Sequence, residues 1–530
     1  MPLLQYCVAQ KVPGMIVCLP CYDPLGRASL ELRSWLALCR STQSPRWSWI
    51  TTPSNGNHSA IVTVTLRGLP LKVFVQTEAA TGTKPVWRLL LGWMICIPLL
   101  FFATDGTLVP ETGAVAYRAT ATDGGGGSAA HQMGLAIVFF ICSALIVSRL
   151  PAVSSISQRT KTLVAYPMLA LLSSAWSLQP QQSIVSGVIL LLFTQFALYF
   201  GVNFTPQRQF ELLVMAGGAA VVLSILLAVF VPSMGSGAEG WRGIFGHKQN
   251  CAGATTLILV TGIHWRPIGF YQRAFRVLYV IMAVGLIVMS KSRTGWGLAL
   301  LALCLSGGIA LLQKLATKDA LFVGLCAIPI IGGLGYLGLQ AAPLILSGIG
   351  KDPTLSQRTI IWAAVWKEIA RHPLLGYGYK GFWTGLKGAS LNVVLTSGWV
   401  LAQAQNGVLD TWVQLGVSGV VLFAVMVGQA IRNGVRCFRG TGRDGYVRWC
   451  IVVILCGLGY NVGESSLGIV SLVWFFFLLA CIGLNETAHA TNHLPPQSKD
   501  MPARHPLRSA RGLLLTGDRR VLAPDRARCI

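Results

Sequence analysis

The sequence is short of charge, and of acid most of all. Only 11% of its 530 residues are charged, and Asp and Glu together number 18. A soluble globular domain carries about 25% charged residues, so a string of soluble domains is excluded. The few acids form no DxD pair and no HExxH, and there is no Gly-rich P-loop. That argues against a metal-dependent transferase using a nucleotide sugar. No close pair of carboxylates stands out, which weakens a glycosidase. The 14 cysteines are scattered, and the one CxxC, Cys18 to Cys21, has no second pair to complete a metal site. No internal repeat is visible and few charges fall within apolar runs, which disfavours a transporter or flippase. The first apolar run lies far from residue 1, so no cleavable signal peptide is expected.

What fills the chain is apolar. Hydrophobic residues make up 53% of it, in repeated runs near the length of a membrane-crossing helix, about 20 residues. Runs fall at 88–104, 133–149, 162–178, 183–202, 209–232, 249–264, 275–290, 294–313, 319–339, 406–431, 447–462 and 468–484. The fold class expected is all-α: a polytopic membrane protein of about twelve transmembrane helices, with a large periplasmic loop between helices 9 and 10. Residues 1–85 read as a poorly structured extension, or as translated sequence upstream of the true start, with a strand-like run at 60–66. The transmembrane domain spans 86–485, its long loop 340–405, and a basic, disordered tail covers 486–530. The loop 105–132 holds Gly124-Gly125-Gly126-Gly127-Ser128 and reads as flexible. Gly333-Leu334-Gly335-Tyr336-Leu337-Gly338 matches a dinucleotide fingerprint by letters only. It lies inside an apolar run and reads as helix packing.

The net charge is +24. Because the cations sit in loops and in the tail, anionic head groups and anionic substrates are the expected partners, not nucleic acid. With the N-terminus inside, inner loops hold Arg149, Arg159, Lys161, Arg266, Arg273, Arg276, Lys314, Lys318, Arg432, Arg436, Arg439, Arg443 and Arg448. Both termini are then cytoplasmic. The remaining cations fall on the outer face: Arg242, Lys248, Lys291, Arg293, Lys351, Arg358, Lys367, Arg371, Lys380 and Lys387. Snorkelling interfacial anchors are the simpler reading for Lys380 and Lys387. Arg242 and Arg293 sit in short connections among Gly, Ser and Thr, where turns and donors prevail over bulk. Guanidinium binds phosphate bidentately, so converging outer arginines describe a diphosphate-lipid site. Glu464, in Asn461-Val462-Gly463-Glu464-Ser465-Ser466, is either a functional carboxylate or the ion-pair partner of an outer arginine. Asp410 reads as a cap or an anchor for a basic partner.

Several stretches resemble the O-antigen ligase and polymerase superfamily. They are Arg242-Gly243-Ile244-Phe245-Gly246-His247-Lys248-Gln249-Asn250, Ser290-Lys291-Ser292-Arg293-Thr294-Gly295-Trp296, Arg358-Thr359-Ile360-Ile361-Trp362, Pro373-Leu374-Leu375-Gly376-Tyr377-Gly378, and Leu172 to Ser183 with Trp176-Ser177 and Pro180. Asn461, Glu464 and Ser465 are shared with the exopolysaccharide, succinoglycan-type polymerase branch. The resemblance covers about residues 88–485. It implies a bacterial inner-membrane glycosyltransferase that moves a glycan from an undecaprenyl-diphosphate carrier to an acceptor hydroxyl, with no metal or nucleotide cofactor. In polymerases the acceptor is another carrier-linked repeat; in ligases it is lipid A core. A flippase and a chain-length regulator are the implied pathway partners. Arg242 and Arg293 take the family's two arginine positions, holding the departing diphosphate. Lys248, His247, Lys291, Arg358, Asn406, Tyr377, Tyr379 and Asn461 are the expected substrate-binding residues. The family commonly places His-Asn at the end of the long loop, nine residues before Gly-x-x-Gly. Here the positions read Gln405-Asn406 and Gly416-Val417-Ser418-Gly419. Gln405 can position a hydroxyl but cannot take a proton, so Glu464 is the candidate base, with His247 and His372 behind it.

Overall fold

A computed structural model of the chain describes residues 85–103, 129–237, 239–313, 358–398, 400–440 and 445–492, together with five short strands between residues 9 and 76. The chain divides into two units, 1–90 and 91–530. In the first, β1 (Ala9–Val12) pairs antiparallel with β2 (Met15–Cys18). A second antiparallel sheet has the order β3 (Arg46–Trp49), β4 (Ser59–Leu66), β5 (Leu69–Gln76). The strand-like run at 60–66 lies within β4.

The rest of the described chain is helical apart from loops and one short antiparallel pair, Ser236–Gly237 with Gly240–Trp241. Its elements are α1 (Pro85–Ala103), α2 (Ala129–Ser148), α3 (Leu150–Arg159), α4 (Lys161–Leu172), α5 (Pro180–Asn203), α6 (Pro206–Phe230), α7 (Lys248–His264), α8 (Phe270–Met289), α9 (Arg293–Leu312), α10 (Arg358–Arg371), α11 (Ser390–Ser397), α12 (Gly407–Gly440), α13 (Gly445–Tyr460) and α14 (Leu472–Asn492). Among the described residues, six helices are long and apolar enough to cross a membrane: α5, α6, α8, α9, α12 and α14. The pair α2–α3, bent by 88°, makes a seventh if counted as one span. The expectation of twelve exceeds this because several apolar runs fold into shorter pieces. The run at 162–178 gives only the 12 residues of α4, since the chain turns at Ser173–Ala175. α13 has 16 residues, a rise of about 24 Å against roughly 30 Å of hydrocarbon. The expected span at 319–339, the dinucleotide-like letters within it, residues 105–128 of the loop read at 105–132, and the tail read at 486–530 beyond residue 492 lie outside the described residues, while 129–132 and 486–492 belong to α2 and α14.

Burial separates centre from rim. α14 buries 78% of its apolar window, against 22% for α8 and 17% for α9. In the buried core Phe475 packs with Phe193, Phe196 and Phe200, Phe476 with Trp449, and Phe477 with Phe423 and Trp474. α7 is buried almost all round, the signature of a helix at the heart of a bundle. Tyr460 packs onto its bare backbone: a Cβ at Gly253 would stand 2.5 Å from the ring. Helices associate in lipid through such close approach at small residues. This contact sets the end of α13 beside the start of α7.

The long stretch before α12 is not structureless. From Arg358 to Ser397 it holds α10 and α11 and has its own core of Ile361, Val365, Ile369, Phe382, Val393, Leu401 and Val413. A break in α12 fastens this small core to the bundle. Gly416 has φ 66°, ψ −164°, and the carbonyls of Val413 and Gln414, released from the helix, accept the N–H groups of Tyr377 and Gly378 at 2.9 Å each. Val417 N–H in turn donates to Pro373 O at 2.9 Å. The glycine of the Gly-x-x-Gly pair is therefore the hinge that lets Pro373–Gly378 lie along a helix. Gly416→Ala places a Cβ against the Leu374 carbonyl in a left-handed backbone. The expected outcome is a loss of about 3 kcal/mol or more, read as early thermal aggregation in detergent.

Candidate functional site

The loops carrying the sequence motifs meet at one end of the bundle. A Cβ on Gly240 would collide with Ser290 O, so the 236–247 turn rests on the α8–α9 connection. Tyr460 OH donates to Gln249 O at 3.1 Å, joining the end of α13 to the start of α7. Gly407 N–H donates to Asn461 O at 2.9 Å, and Asn406 N–H to Ser465 Oγ at 3.1 Å. Gly463 packs beside both Arg358 and the α9 N-terminus: a Cβ there would stand 2.6 Å from Arg358 Nη1 and 3.9 Å from Thr294 Cγ2. The Trp176 to Ser183 segment joins through Leu178 N–H to Tyr377 O at 3.2 Å and Ser183 Oγ to Tyr379 O at 2.6 Å.

At the centre stand Arg358, Glu464 and Gln405. Arg358 Nη2 donates to Glu464 Oε1 at 2.6 Å, and Arg358 Nε donates to Gln405 Oε1 at 3.1 Å. The Glu464 side chain is 3% exposed and that of Arg358 16%. Burial drives the Glu464 carboxyl up to about 7, against the opposing pull of the Arg358 charge. The carboxyl therefore exchanges a proton near neutral pH while one of its oxygens stays held. Gln405 has φ 52°, in the left-handed region that non-glycine residues avoid. Lys291, φ 51°, and Lys380, φ 58°, are the other two non-glycine cases among the described residues, and Lys291 borders the same end. Strained backbone of this kind persists where the surroundings over-determine it, commonly at functional sites.

The other expected site residues fall into two groups. Arg293 opens α9, is exposed, and has no partner among the described residues. Lys291 precedes it, also exposed. Arg242 is half-buried and partly committed: Nε donates to Met234 O at 2.7 Å and Nη2 to Ser233 O at 2.8 Å. Lys248 pairs with Glu239 at 2.7 Å. His247 is exposed and caps α7 through Nδ1, which accepts from Gln249 N at 3.3 Å.

A second group is occupied with structure. Asn406 Oδ1 accepts from Val408 N and Leu409 N, both at 3.1 Å, as the N-cap of α12. Asn461 is buried and staples its own turn: Oδ1 accepts from Ser466 N at 2.7 Å and Leu467 N at 3.0 Å. Tyr377 OH donates to buried Glu368 Oε2 at 2.9 Å, and Tyr379 OH to Gly468 O at 2.8 Å. The structure thus turns the substrate-binding expectation for Asn461, Tyr377 and Tyr379 toward framework roles, because each is buried with its polar atoms engaged. His372 stacks edge-on against Tyr377 at 4.5 Å, away from the Arg358 cluster's hydrogen bonds.

Two buried carboxylates serve as framework acceptors, and one of them, Glu368, was not singled out from the sequence. Glu368 accepts from Arg371 at 2.8 Å, Asn392 at 3.0 Å and Tyr377, tying α10 to α11. Asp410 accepts from Trp383 Nε1 at 2.7 Å, Ala404 N at 3.1 Å and Gln414 Nε2 at 2.9 Å. It is more than a cap: it holds the chain entering Gln405. The cap-or-anchor reading of Asp410 named part of this role; Glu368 pairs with Arg371 at i,i+3 spacing.

The family profile described as O-antigen ligase matches residues 278–424. That window takes in Arg293, Arg358, Gln405 and the Gly416 hinge, and leaves Arg242 and Glu464 outside. The exopolysaccharide production protein ExoQ of Rhizobium meliloti (strain 1021) is 23% identical over 298 residues, 53% of this chain and 66% of that protein, so just under two thirds of the relative is spanned. A Rickettsia felis protein named as a candidate polysaccharide ligase is 22% identical over 336 residues, 60% of this chain and 79% of that protein. The chain is a membrane protein whose residues 278–424 match the O-antigen ligase profile, and it is similar to one exopolysaccharide production protein.

Proposed function

We propose that this protein is a membrane glycosyltransferase that joins exopolysaccharide repeat units supplied on undecaprenyl diphosphate. The observation that carries the reading is the buried Glu464, near-neutral in proton affinity, held by Arg358 beside the N-terminal turn of α9, which Arg293 opens. In the reaction, an acceptor hydroxyl attacks the anomeric carbon of the donor sugar. The C–O bond to the diphosphate breaks, and the hydroxyl proton passes to the Glu464 carboxylate. The bond pair leaves with the diphosphate, whose growing charge Arg293 and the uncommitted part of Arg242 stabilise. Gln405 fixes Arg358, and through it the orientation of the base.

The site end then faces the periplasm and the opposite end, rich in arginine, faces the cytoplasm with both termini, as the distribution of loop charge supports. Within this proposal the domain runs 86–485, residues 340–405 are its periplasmic loop, and about twelve helices span the inner membrane. Deleting the gene leads to accumulation of carrier-linked single repeats while long polymer disappears. Normal polymer in the deletion strain would sink the proposal. The name of the Rickettsia felis relative favours a ligase as the second reading. Glycan found on lipid A core, with no free polymer, would select it.

A further inference from the structure

The end of the bundle remote from Glu464 holds a surplus of hydrogen-bond donors. α7 runs 17 residues from the site to His264, about 25 Å along its axis. Arg266 follows it, Arg276 lies in the second turn of α8, and Arg448 lies in the first turn of α13. They belong to one cluster. Arg276 Nη1 donates to Trp265 O at 3.2 Å. A Cβ on Gly445 would stand 3.4 Å from Arg266 Nη2. Arg448 Nη1 donates to Gln313 Oε1, the C-cap of α9, at 3.3 Å, and Arg266 and Arg448 lie within each other's electrostatic reach. None of the three forms an ion pair among the described residues. The nearby acid of α6, Glu211, is already paired with Arg208 at 2.8 Å.

Two buried donors, on the residues that Arg276 and Arg448 contact, lack acceptors. Trp265 is 5% exposed, and its Nε1–H has no partner; nor has Gln313 Nε2. Buried donors of this kind normally find an acceptor. Ile268, Phe270 and Tyr271 stand 78%, 78% and 87% exposed on the same connection, apolar and aromatic surface suited to the interfacial zone of a bilayer. Three guanidiniums without an ion pair, two orphan donors and an exposed apolar rim together fit one ligand that is anionic, rich in acceptors and carries acyl chains.

We propose that the α7–α8 connection, the C-terminus of α9 and the N-terminus of α13 form a binding site for the phosphate of an anionic phospholipid. The non-bridging oxygens accept from Arg266, Arg448 and Arg276, and the chains lie along Ile268 and Phe270. The site is separate from the glycan-transfer end and does not depend on the reaction assigned there.

The test uses the full-length protein in detergent, mixed with phosphatidylglycerol, with phosphatidylcholine, or with inorganic phosphate, and counts retained adducts by native mass spectrometry. Phosphatidylglycerol is retained by the wild type and raises its thermal midpoint; phosphatidylcholine and phosphate do neither. The double variant R266Q/R448Q binds phosphatidylglycerol about thirtyfold more weakly, while R273Q, one helical turn from Arg276, binds as the wild type does. Should the double variant fail to insert, the wild-type arms and R276Q decide. Equal retention of the two lipids, no rise in midpoint, or unchanged affinity in R276Q or the double variant overturns the site. Retention of phosphate alone reduces it to a general anion site and overturns the lipid assignment.

Discussion

Glu464→Gln protein inserts normally and transfers no measurable glycan. Glutamine keeps the shape of the side chain and can still accept from Arg358, so the 2.6 Å contact and the turn that carries it survive. What disappears is the ability to take a proton, a contribution of roughly 10²–10⁴ in rate for general-base catalysis. The wild-type pH profile gives an independent signature. The base acts deprotonated, and its carboxyl titrates at about 7, so activity on a carrier-linked repeat rises with pH through about 7 and then levels. Stability runs the other way. A carboxyl raised from 4.5 in the unfolded chain to about 7 in the fold contributes stability that is fully present below 4.5 and is lost as pH climbs through 7. Activity therefore grows over the window in which the fold weakens. A structural carboxylate would move stability alone, so a flat activity profile from pH 5.5 to 8.5, in an assay designed around the about 7 midpoint, would remove Glu464 from the chemistry. Gln405→Ala tests the support of this base: it lowers kcat about tenfold or more by freeing Arg358, with KM little changed.

Arg293→Ala abolishes polymer, and the protein still inserts and stays folded. The side chain is exposed and has no partner among the described residues, so little stability depends on it. Its charge stands at the N-terminus of α9, where the helix dipole adds to its pull on an anion. Loss of one preorganised donor to a developing oxyanion costs about 10²–10³ in kcat. Arg293→Lys recovers part of the activity, since an ammonium keeps the charge and loses the bidentate fork. Arg242→Ala also abolishes polymer, for a mixed reason. Its guanidinium ties Ser233 O and Met234 O together, so this variant also loosens the α6–α7 turn and lowers the thermal midpoint. The pair thus separates in stability while agreeing in activity. Unchanged polymer length and yield in both variants would rule out a diphosphate role for either residue.

Those two arginines show where a single sequence suffices. Polar residues crowded into short connections between apolar runs can be seen without a structure, because hydropathy fixes which residues lie between helices. The order of the five motifs was enough to suggest one end of one bundle. Which of them touch was not legible. Arg358 and Glu464 are 106 positions apart in sequence, and nothing in either neighbourhood says that one holds the other. Conversely Asn461, Tyr377 and Tyr379 look like binding residues as letters, and packing gives their polar atoms to the framework.

The sequence alone determined an apolar, helical membrane chain, the connections in which its arginines collect, and the stretch from about Gly350 to Gly419 as one of its few long interruptions. All of these follow from composition and from local hydropathy, which need no partner elsewhere in the chain. The tertiary structure decided that this interruption, from Arg358 on, is a folded piece with its own core, hung on the hinge at Gly416 and held by the buried acceptors Glu368 and Asp410. It also decided that Gln405, where the family's usual histidine is missing, is the strained residue that steadies Arg358. Both depend on hydrogen bonds between distant segments, which only folding brings within reach of one another.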